Sequence, residues 1–68
     1  MLVIKDDEMR ELLIENGWSQ RKLAREIGVD AAYVHRIFGH KRNPGSIFVS
    51  RVLARFPDAK FEDLFRVS

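Results

Sequence analysis

Residues 20–39, with the sequence QRKLAREIGVDAAYVHRIFG, constrain the fold more than any other stretch, because they hold two short helical patterns separated by a glycine. One face of each pattern is apolar at helical spacing, and its residues are Leu23, Ala24 and Ile27, then Val34, Ile37 and Phe38. Gly28 lies between the patterns, where a residue without Cβ can adopt the positive φ that a sharp turn needs. The spacing therefore predicts two helices joined by a tight turn.

Residues of defined size occupy fixed positions around this turn. Ala24 is small where a larger side chain would hold the two helices apart, and Val29 can fill the angle between them. Counted from the first residue of the stretch, Ala24 is the fifth, Gly28 the ninth and Val34 the fifteenth. This pattern resembles the helix-turn-helix of the Cro and phage-repressor (XRE-type) DNA-binding family. An αα-hairpin inside an unrelated helical bundle uses the same turn chemistry and is the alternative.

Capping residues delimit the first three helices. Asp6 is expected to cap the first helix, which should end at Asn16 and Gly17, a typical C-cap pair. Ser19 and Asp30 are good N-caps for the second and third helices. The residues of the first helix and the segment after it that we expect in the core are Met9, Leu12, Leu13 and Trp18.

Two further helices are predicted, over residues 46–56 and 61–65, with a break at Pro57 and Asp58. Their expected core residues are Ile47, Val49, Val52, Leu53 and Phe56 in the fourth helix and Phe61, Leu64 and Phe65 in the fifth. No strand is predicted. The resemblance then extends over roughly residues 9–65, and it implies an all-α fold, a compact five-helix lambda-repressor-like DNA-binding domain in which helices 2 and 3 form the helix-turn-helix.

Length and composition set limits on the kind of protein. A chain of 68 residues is enough for one small domain, and we expect a single domain over residues 1–68. It has no cysteine, which excludes a disulfide framework and a thiolate zinc site. The longest apolar run, residues 1–4, is far too short to cross a membrane or to form a signal-peptide core, so we expect a cytoplasmic location.

The charges are segregated along the chain, although the net charge is only +2. Residues 1–18 sum to −3, residues 19–55 to +6 and residues 56–68 to −1. A solvated charged surface is the simplest interpretation of such a run. Because the basic block coincides with the helix-turn-helix pattern and the segment after it, we interpret it as a polyanion-binding face.

Three features depart from the family pattern. His40 stands where many members have glycine and is preceded by Gly39, so the end of the third helix can shift by a residue. Gly45 follows the proline, where serine is usual. Leu13 and Phe38 occupy the places where many members pair an arginine of the first helix with a glutamate of the third. Since apolar groups often replace a buried ion pair without loss of stability, we predict a Leu13–Phe38 contact in the core.

The family places its third helix in the major groove, with the N-terminal half at the base edges. Matched position by position, the resemblance assigns base reading to Ala31, Ala32, Tyr33, His35 and Arg36. Arg36 is the expected base reader, since its guanidinium fork can bond O6 and N7 of guanine together. The two alanines can offer only a methyl contact to thymine or a close approach. Tyr33 can stack on the sugar-phosphate or bond a base edge, and His35 can donate to a phosphate or a base.

The resemblance also implies two sets of phosphate contacts. The first is the N-terminus of the second helix, with Ser19, Gln20 and Arg21, and the second is the loop after the third helix, with Lys41, Arg42 and Asn43. A helix N-terminus offers free N–H groups and a positive dipole end to an anion. Basic loop residues release counterions when they bind a phosphate.

Catalytic and metal sites are not indicated. His35 and His40 are five residues apart, about 140° around a helix, so they do not share one face as an i, i+4 pair would. The chain contains no glycine-rich phosphate loop, no G-x-S-x-G and no H-E-x-x-H. We therefore expect no enzymatic activity, no cofactor, no metal and no small-molecule ligand.

The resulting hypothesis is a Cro-like or small repressor-like transcriptional regulator of double-stranded DNA. A domain this small makes few base contacts, so we expect a two-fold homodimer on a palindromic operator. The dimer surface should come from the domain itself, through Phe65 and Val67 or through the apolar arm Leu2–Ile4. The alternatives are a DNA-binding antitoxin of a toxin–antitoxin pair and a protein-interaction module that has lost DNA binding; the +6 block argues against the second of these.

Overall fold

Five helices and two short strands make up the chain in the computed structural model, which describes residues 1–68. In chain order the elements are β1 (Leu2–Ile4), α1 (Asp6–Asn16), α2 (Gln20–Ile27), α3 (Ala31–Phe38), α4 (Ser46–Arg55), α5 (Phe61–Leu64) and β2 (Phe65–Val67). The five predicted helices are thus all present, and the fourth and fifth each end one residue earlier than predicted. None of them has the length and apolar character needed to cross a membrane.

The two strands correct the prediction of an all-α fold. β1 and β2 pair antiparallel, with Leu2 opposite Val67 and Ile4 opposite Phe65. Each strand has only three residues, too few to show an alternating pattern in the sequence. The partners lie at opposite ends of the chain, so only the folded arrangement of the helices brings them together. Phe65, predicted in the fifth helix, therefore belongs to a strand.

The core is a single apolar cluster to which every element contributes. Its buried residues are Ile4, Met9, Leu13, Leu23, Ala24, Ile27, Val34, Ile37, Phe38, Phe48, Val52, Leu64 and Phe65. In α4 the prediction was wrong at two positions, because Phe48 is fully buried whereas Ile47 is 60% exposed. Phe48 and Val52 are four residues apart and share one helix face, and Ile47 lies about 100° away from Phe48 around the helix.

Some of the expected core residues are only partly buried. Leu12 and Trp18 pack against the edge of the cluster, and the Trp18 ring lies 5.2 Å from the Phe56 ring. Phe61, expected to close the core, lies on the surface and stacks on Phe65 at 5.4 Å. The helix that carries Phe61 is a single turn, so only Leu64 of that turn reaches the interior.

Of the three predicted N-cap residues, two cap their helices in the structure. The Oγ atom of Ser19 accepts from the backbone N–H of Lys22, and Oδ1 of Asp30 accepts from that of Ala32, each at 3.0 Å. Both caps are confirmed. The predicted cap at Asp6 is wrong, because Asp6 is the first residue inside α1 and the cap position is held by Lys5 without a side-chain hydrogen bond.

Left-handed residues end the first three helices. Gly17 has φ +66° and Gly28 has φ +72°, as the turns require, and both predictions are confirmed. After α3 the left-handed residue is His40, with φ +58°, and Gly39 has φ −85°. The backbone N–H of Lys41 donates to the carbonyl of Arg36 at 2.9 Å, the bond of a Schellman ending. The left-handed position is therefore His40 and has not shifted to Gly39, so a residue with a Cβ ends the helix.

Leu13 and Phe38 are both buried in the core cluster, and they line one surface depression together with Trp18. The guanidinium of Arg10 lies 5.6 Å from the centroid of the Phe38 ring. In place of an ion pair between the first and third helices, the chain thus has two apolar side chains with an arginine at the rim.

Candidate nucleic-acid interface

The turn between α2 and α3 is held from outside by Arg51 of α4. Its Nη1 atom donates to the carbonyl of Gly28 at 2.8 Å and to that of Ile27 at 3.3 Å. These are carbonyls at the C-terminus of α2, which have no partner within the helix. Arg51 was not predicted as a functional residue, and the sequence marks it only as one cation of the basic block. It ties the C-terminus of α2 and the turn residue Gly28 to α4.

The outer face of α3 carries three of the five residues assigned to base reading. Ala32, His35 and Arg36 are exposed and lie at i, i+3 and i+4, which places them on one stripe of the helix. The opposite face, with Val34 and Ile37, is in the core. Ala31 is half-buried and packs against the core cluster, so its methyl group borders the stripe.

Gln20 of α2 contacts His35 of α3 across the interface between the two helices. Nδ1 of the imidazole lies 3.3 Å from Oε1 of the amide. Both side chains line a depression with Ala31, Ala32 and Arg21. The structure therefore brings residues assigned to phosphate contact and residues assigned to base reading to one place.

Tyr33 lies away from this stripe and connects α3 to the following segment. Its hydroxyl oxygen accepts from the backbone N–H of Gly45 at 3.0 Å, and its ring meets Phe48 edge-on at 6.1 Å. The guanidinium of Arg42 lies 5.0 Å from the ring centroid. The half-buried Tyr33 thus supports the basic loop, and only its hydroxyl hydrogen is left to donate to another group.

The loop after α3 is anchored at both ends. His40 donates from Nε2 to the carboxylate of Asp6, 2.8 Å from each oxygen, and Pro44 is buried. Between these anchors the exposed residues are Lys41, Arg42 and Asn43, the predicted loop contacts to phosphate. At the other predicted phosphate site, Ser19 is exposed but its Oγ atom already caps α2.

Residues 9–57 match the family model described as helix-turn-helix. The chain belongs to the XRE-type helix-turn-helix family. A relative from Bacillus subtilis (strain 168), described as the uncharacterized HTH-type transcriptional regulator YvzC, is 37% identical over 62 residues, which cover 91% of this chain and 79% of the relative. No solved structure matches the chain significantly. Membership of this family makes the chain a DNA-binding regulator and not an enzyme.

The cations of this helix-turn-helix protein fall into two groups. Of the eight Lys and Arg side chains in residues 19–55, two bind Glu26, namely Lys22 at 2.9 Å and Arg55 at 3.1 Å. Arg51 is bound to backbone carbonyls. The five that form no ion pair are Arg21, Arg25, Arg36, Lys41 and Arg42. These five lie on the helix-turn-helix and its loop, and their charge is available to an anion.

Glu26 connects α2 to α4. It accepts hydrogen bonds from Lys22 one turn earlier in α2 and from Arg55 in α4. These two hydrogen bonds lower the pKa of the Glu26 carboxyl below its ordinary value. The only acidic side chain of α2 is thereby neutralised locally, and the helix-turn-helix presents a basic surface.

Proposed function

We propose that this chain is a sequence-specific transcriptional regulator that binds a palindromic operator as a homodimer, with α3 in the major groove. The observation that carries the proposal is the exposed stripe of Ala32, His35 and Arg36 on α3, beside cations that have no acidic partner. The description of the Bacillus subtilis relative as a transcriptional regulator supports the same conclusion.

Arg36 is the principal base reader in this proposal. Its side chain is exposed and makes no ion pair, so the planar guanidinium is free to bond O6 and N7 of one guanine. Ala32, one turn earlier on the same stripe, allows the helix to approach the base edges closely because it has only a methyl group.

The phosphate contacts come from two sides of α3. On one side the N-terminus of α2 offers its backbone N–H groups and the exposed Arg21. On the other side the anchored loop presents Lys41 and Arg42. Phosphate contacts of this kind supply affinity and orientation, whereas the bases supply specificity.

A homodimer follows from the size of the reading surface. One stripe of three side chains reads only a few base pairs, and two copies related by a two-fold axis double that number. Regulation would then be steric, because an operator that overlaps a promoter is blocked when the dimer occupies it.

Selection of bound sequences from random double-stranded DNA tests this function. We expect a two-fold symmetric consensus whose half-site centres are one helical turn apart, about 34–36 Å. Arg36→Ala should lose the preference at one base pair per half-site, and Glu11→Gln, on the exposed face of α1, serves as the control. A selection without any enriched sequence, or a single half-site that holds one protomer at saturation, would contradict the proposal.

A further inference from the structure

The contact between Gln20 and His35 has a consequence for the chemistry of the imidazole. An amide oxygen can only accept a hydrogen bond, and Oε1 of Gln20 is 3.3 Å from Nδ1 of His35. Nδ1 must therefore carry the hydrogen. In the neutral ring Nε2 then has a free lone pair, and the exposed histidine presents an acceptor instead of a donor.

The surroundings of this acceptor are apolar on one side. His35 lines its depression together with the methyl groups of Ala31 and Ala32, and Ala32 is exposed. Arg21 and Gln20 form the other side, toward the N-terminus of α2. A hydrogen-bond acceptor and two methyl groups thus lie next to each other on the face that we propose enters the major groove.

We propose that this depression reads an A·T base pair. Nε2 of His35 accepts from the N6 amine of adenine, and the alanine methyl groups contact the C5-methyl of thymine. Gln20 is the positioning residue, because its amide oxygen holds the ring in the tautomer that accepts. The inference rests on the proposed function, since it requires α3 in the major groove.

The pattern of groups in the major groove gives the reason for this specificity. An A·T pair is the one pair that presents both an exocyclic amine donor and a methyl group there, while guanine presents only acceptors and cytosine an amine without a methyl group. A lone pair on Nε2 is repelled by the guanine acceptors. We expect a preference for adenine of about 2- to 12-fold from one net hydrogen bond. The thymine methyl group should add about fourfold.

The tautomer can be measured on the free protein by long-range ¹H–¹⁵N correlation NMR at about pH 8, where imidazoles are mostly neutral. We expect His35 to be protonated at Nδ1. His40 is an internal reference of the opposite kind, because its Nε2 donates to the Asp6 carboxylate. In Gln20→Ala the ring of His35 should become a mixture of tautomers while His40 is unchanged. Protonation of His35 at Nε2 in the unaltered protein would overturn the positioning role of Gln20.

Base reading is tested with the operator obtained by selection. The position whose preference is lost in His35→Ala should be an A·T pair. At that pair, uracil in place of thymine should weaken binding about fourfold, and purine in place of adenine about 2- to 12-fold. The purine replacement should not matter to His35→Ala, whereas the uracil replacement should still weaken its binding, because Ala31 and Ala32 are unchanged in that variant. Loss of preference at a G·C pair, or at no pair, would overturn the inference.

Gln20→Ala separates positioning from phosphate contact, because the measured quantity is a ratio of affinities. The ratio is the affinity for the operator divided by the affinity for an operator with C·G in place of that A·T pair. In Gln20→Ala this ratio should fall toward the value found for His35→Ala. Arg21→Ala is the matched control, since Arg21 lines the same depression without a hydrogen bond to the histidine, and it should weaken both duplexes equally. A selection without consensus overturns the proposed function and the base reading together. A consensus that His35→Ala leaves intact overturns the base reading alone.

Discussion

At the scale of single residues, two exposed arginines of the basic block differ in what they contact. Arg36 stands on the outer stripe of α3 without a partner, whereas Arg42 lies in the loop with its guanidinium 5.0 Å from the Tyr33 ring. We predict that Arg36→Ala costs about 1–3 kcal/mol on the preferred site and relaxes the preference at one base pair. Arg42→Ala should instead weaken binding to every sequence and reduce the salt slope by about one unit.

Affinities for the operator and for a scrambled duplex, measured for both variants across a salt series, distinguish these two roles. Equal losses on both duplexes for Arg36→Ala would mean that α3 does not read bases through Arg36. A loss confined to the operator for Arg42→Ala would mean that the loop contributes to specificity.

His40 is another single residue with a testable role, because it forms the left-handed end of α3. A left-handed conformation costs a residue with a Cβ roughly 1–2 kcal/mol, and His40 adopts φ +58°. The exposed contact with Asp6 stabilises the folded state by at most about 1 kcal/mol. We predict that His40→Gly, made in an Asp6→Ala background where the contact is already lost, raises the free energy of unfolding by about 1 kcal/mol. Urea unfolding of the single and double variants measures this difference, and the absence of any gain would show that the histidine is not strained there.

At the scale of elements, Phe38 connects α3 to the core beside Leu13 of α1. Phe38 is 3% exposed, and Phe38→Ala should lower the free energy of unfolding by about 3–5 kcal/mol through lost burial and a cavity. The control is Ile14→Ala, because Ile14 follows Leu13 in α1 but is 77% exposed, and it should cost less than about 0.5 kcal/mol. Similar losses in the two variants, measured by urea unfolding, would contradict the role of the Leu13–Phe38 pair.

The link between α2 and α4 through Glu26 predicts a dependence on pH. Because hydrogen bonds from Lys22 and Arg55 lower the pKa of Glu26, its contribution to stability is present above the ordinary carboxylate range and is lost as the pH falls through and below about 4. The urea midpoint of the unaltered protein, followed from pH 7 to pH 3, should fall more steeply than that of Glu26→Gln. Parallel curves would show that the link does not stabilise the folded state.

At the scale of the whole molecule, the small sheet limits where a second protomer can bind. Phe65, one of the residues predicted at the dimer surface, is buried in the core, and this corrects its role. Val67 is 76% exposed on β2. Met1 and Ser68 hydrogen-bond each other across the strands, so the register turns the N–H and C=O groups of Val67 to the outer edge. An open edge with an apolar side chain favours pairing with a second copy.

We therefore predict that Val67→Asp weakens the proposed homodimer without unfolding the domain, because a charge on the strand edge opposes pairing. Sedimentation equilibrium measures the association, and the operator complex should lose its two-to-one stoichiometry at the concentrations that saturate the unaltered protein. Ile14→Asp is the matched control on α1, since Ile14 is exposed to the same degree. Weaker association in the control and not in Val67→Asp would place the dimer surface on α1.

The sequence by itself determined the features that depend on neighbouring residues. The glycine turn at Gly28 and the caps at Ser19 and Asp30 rest on backbone conformation and on hydrogen bonds over two or three residues. The apolar spacing of α2 and α3 likewise predicted which faces are buried. The family resemblance then supplied the order of the helices, and residues 9–57 match the family model described as helix-turn-helix.

Only the tertiary structure decided the features that join distant parts of the chain. The β1–β2 pair and the Asp6–His40 contact join segments that are far apart in sequence, and no local pattern specifies them. Which of two adjacent apolar residues faces the core, Ile47 or Phe48, depends on the rotation of α4 against its neighbours. In the candidate interface the same holds for Tyr33, where the packing of Phe48 and the N–H of Gly45 draw a predicted base reader toward the interior. Contacts of this kind arise from packing between elements, and no short stretch of the sequence specifies that packing.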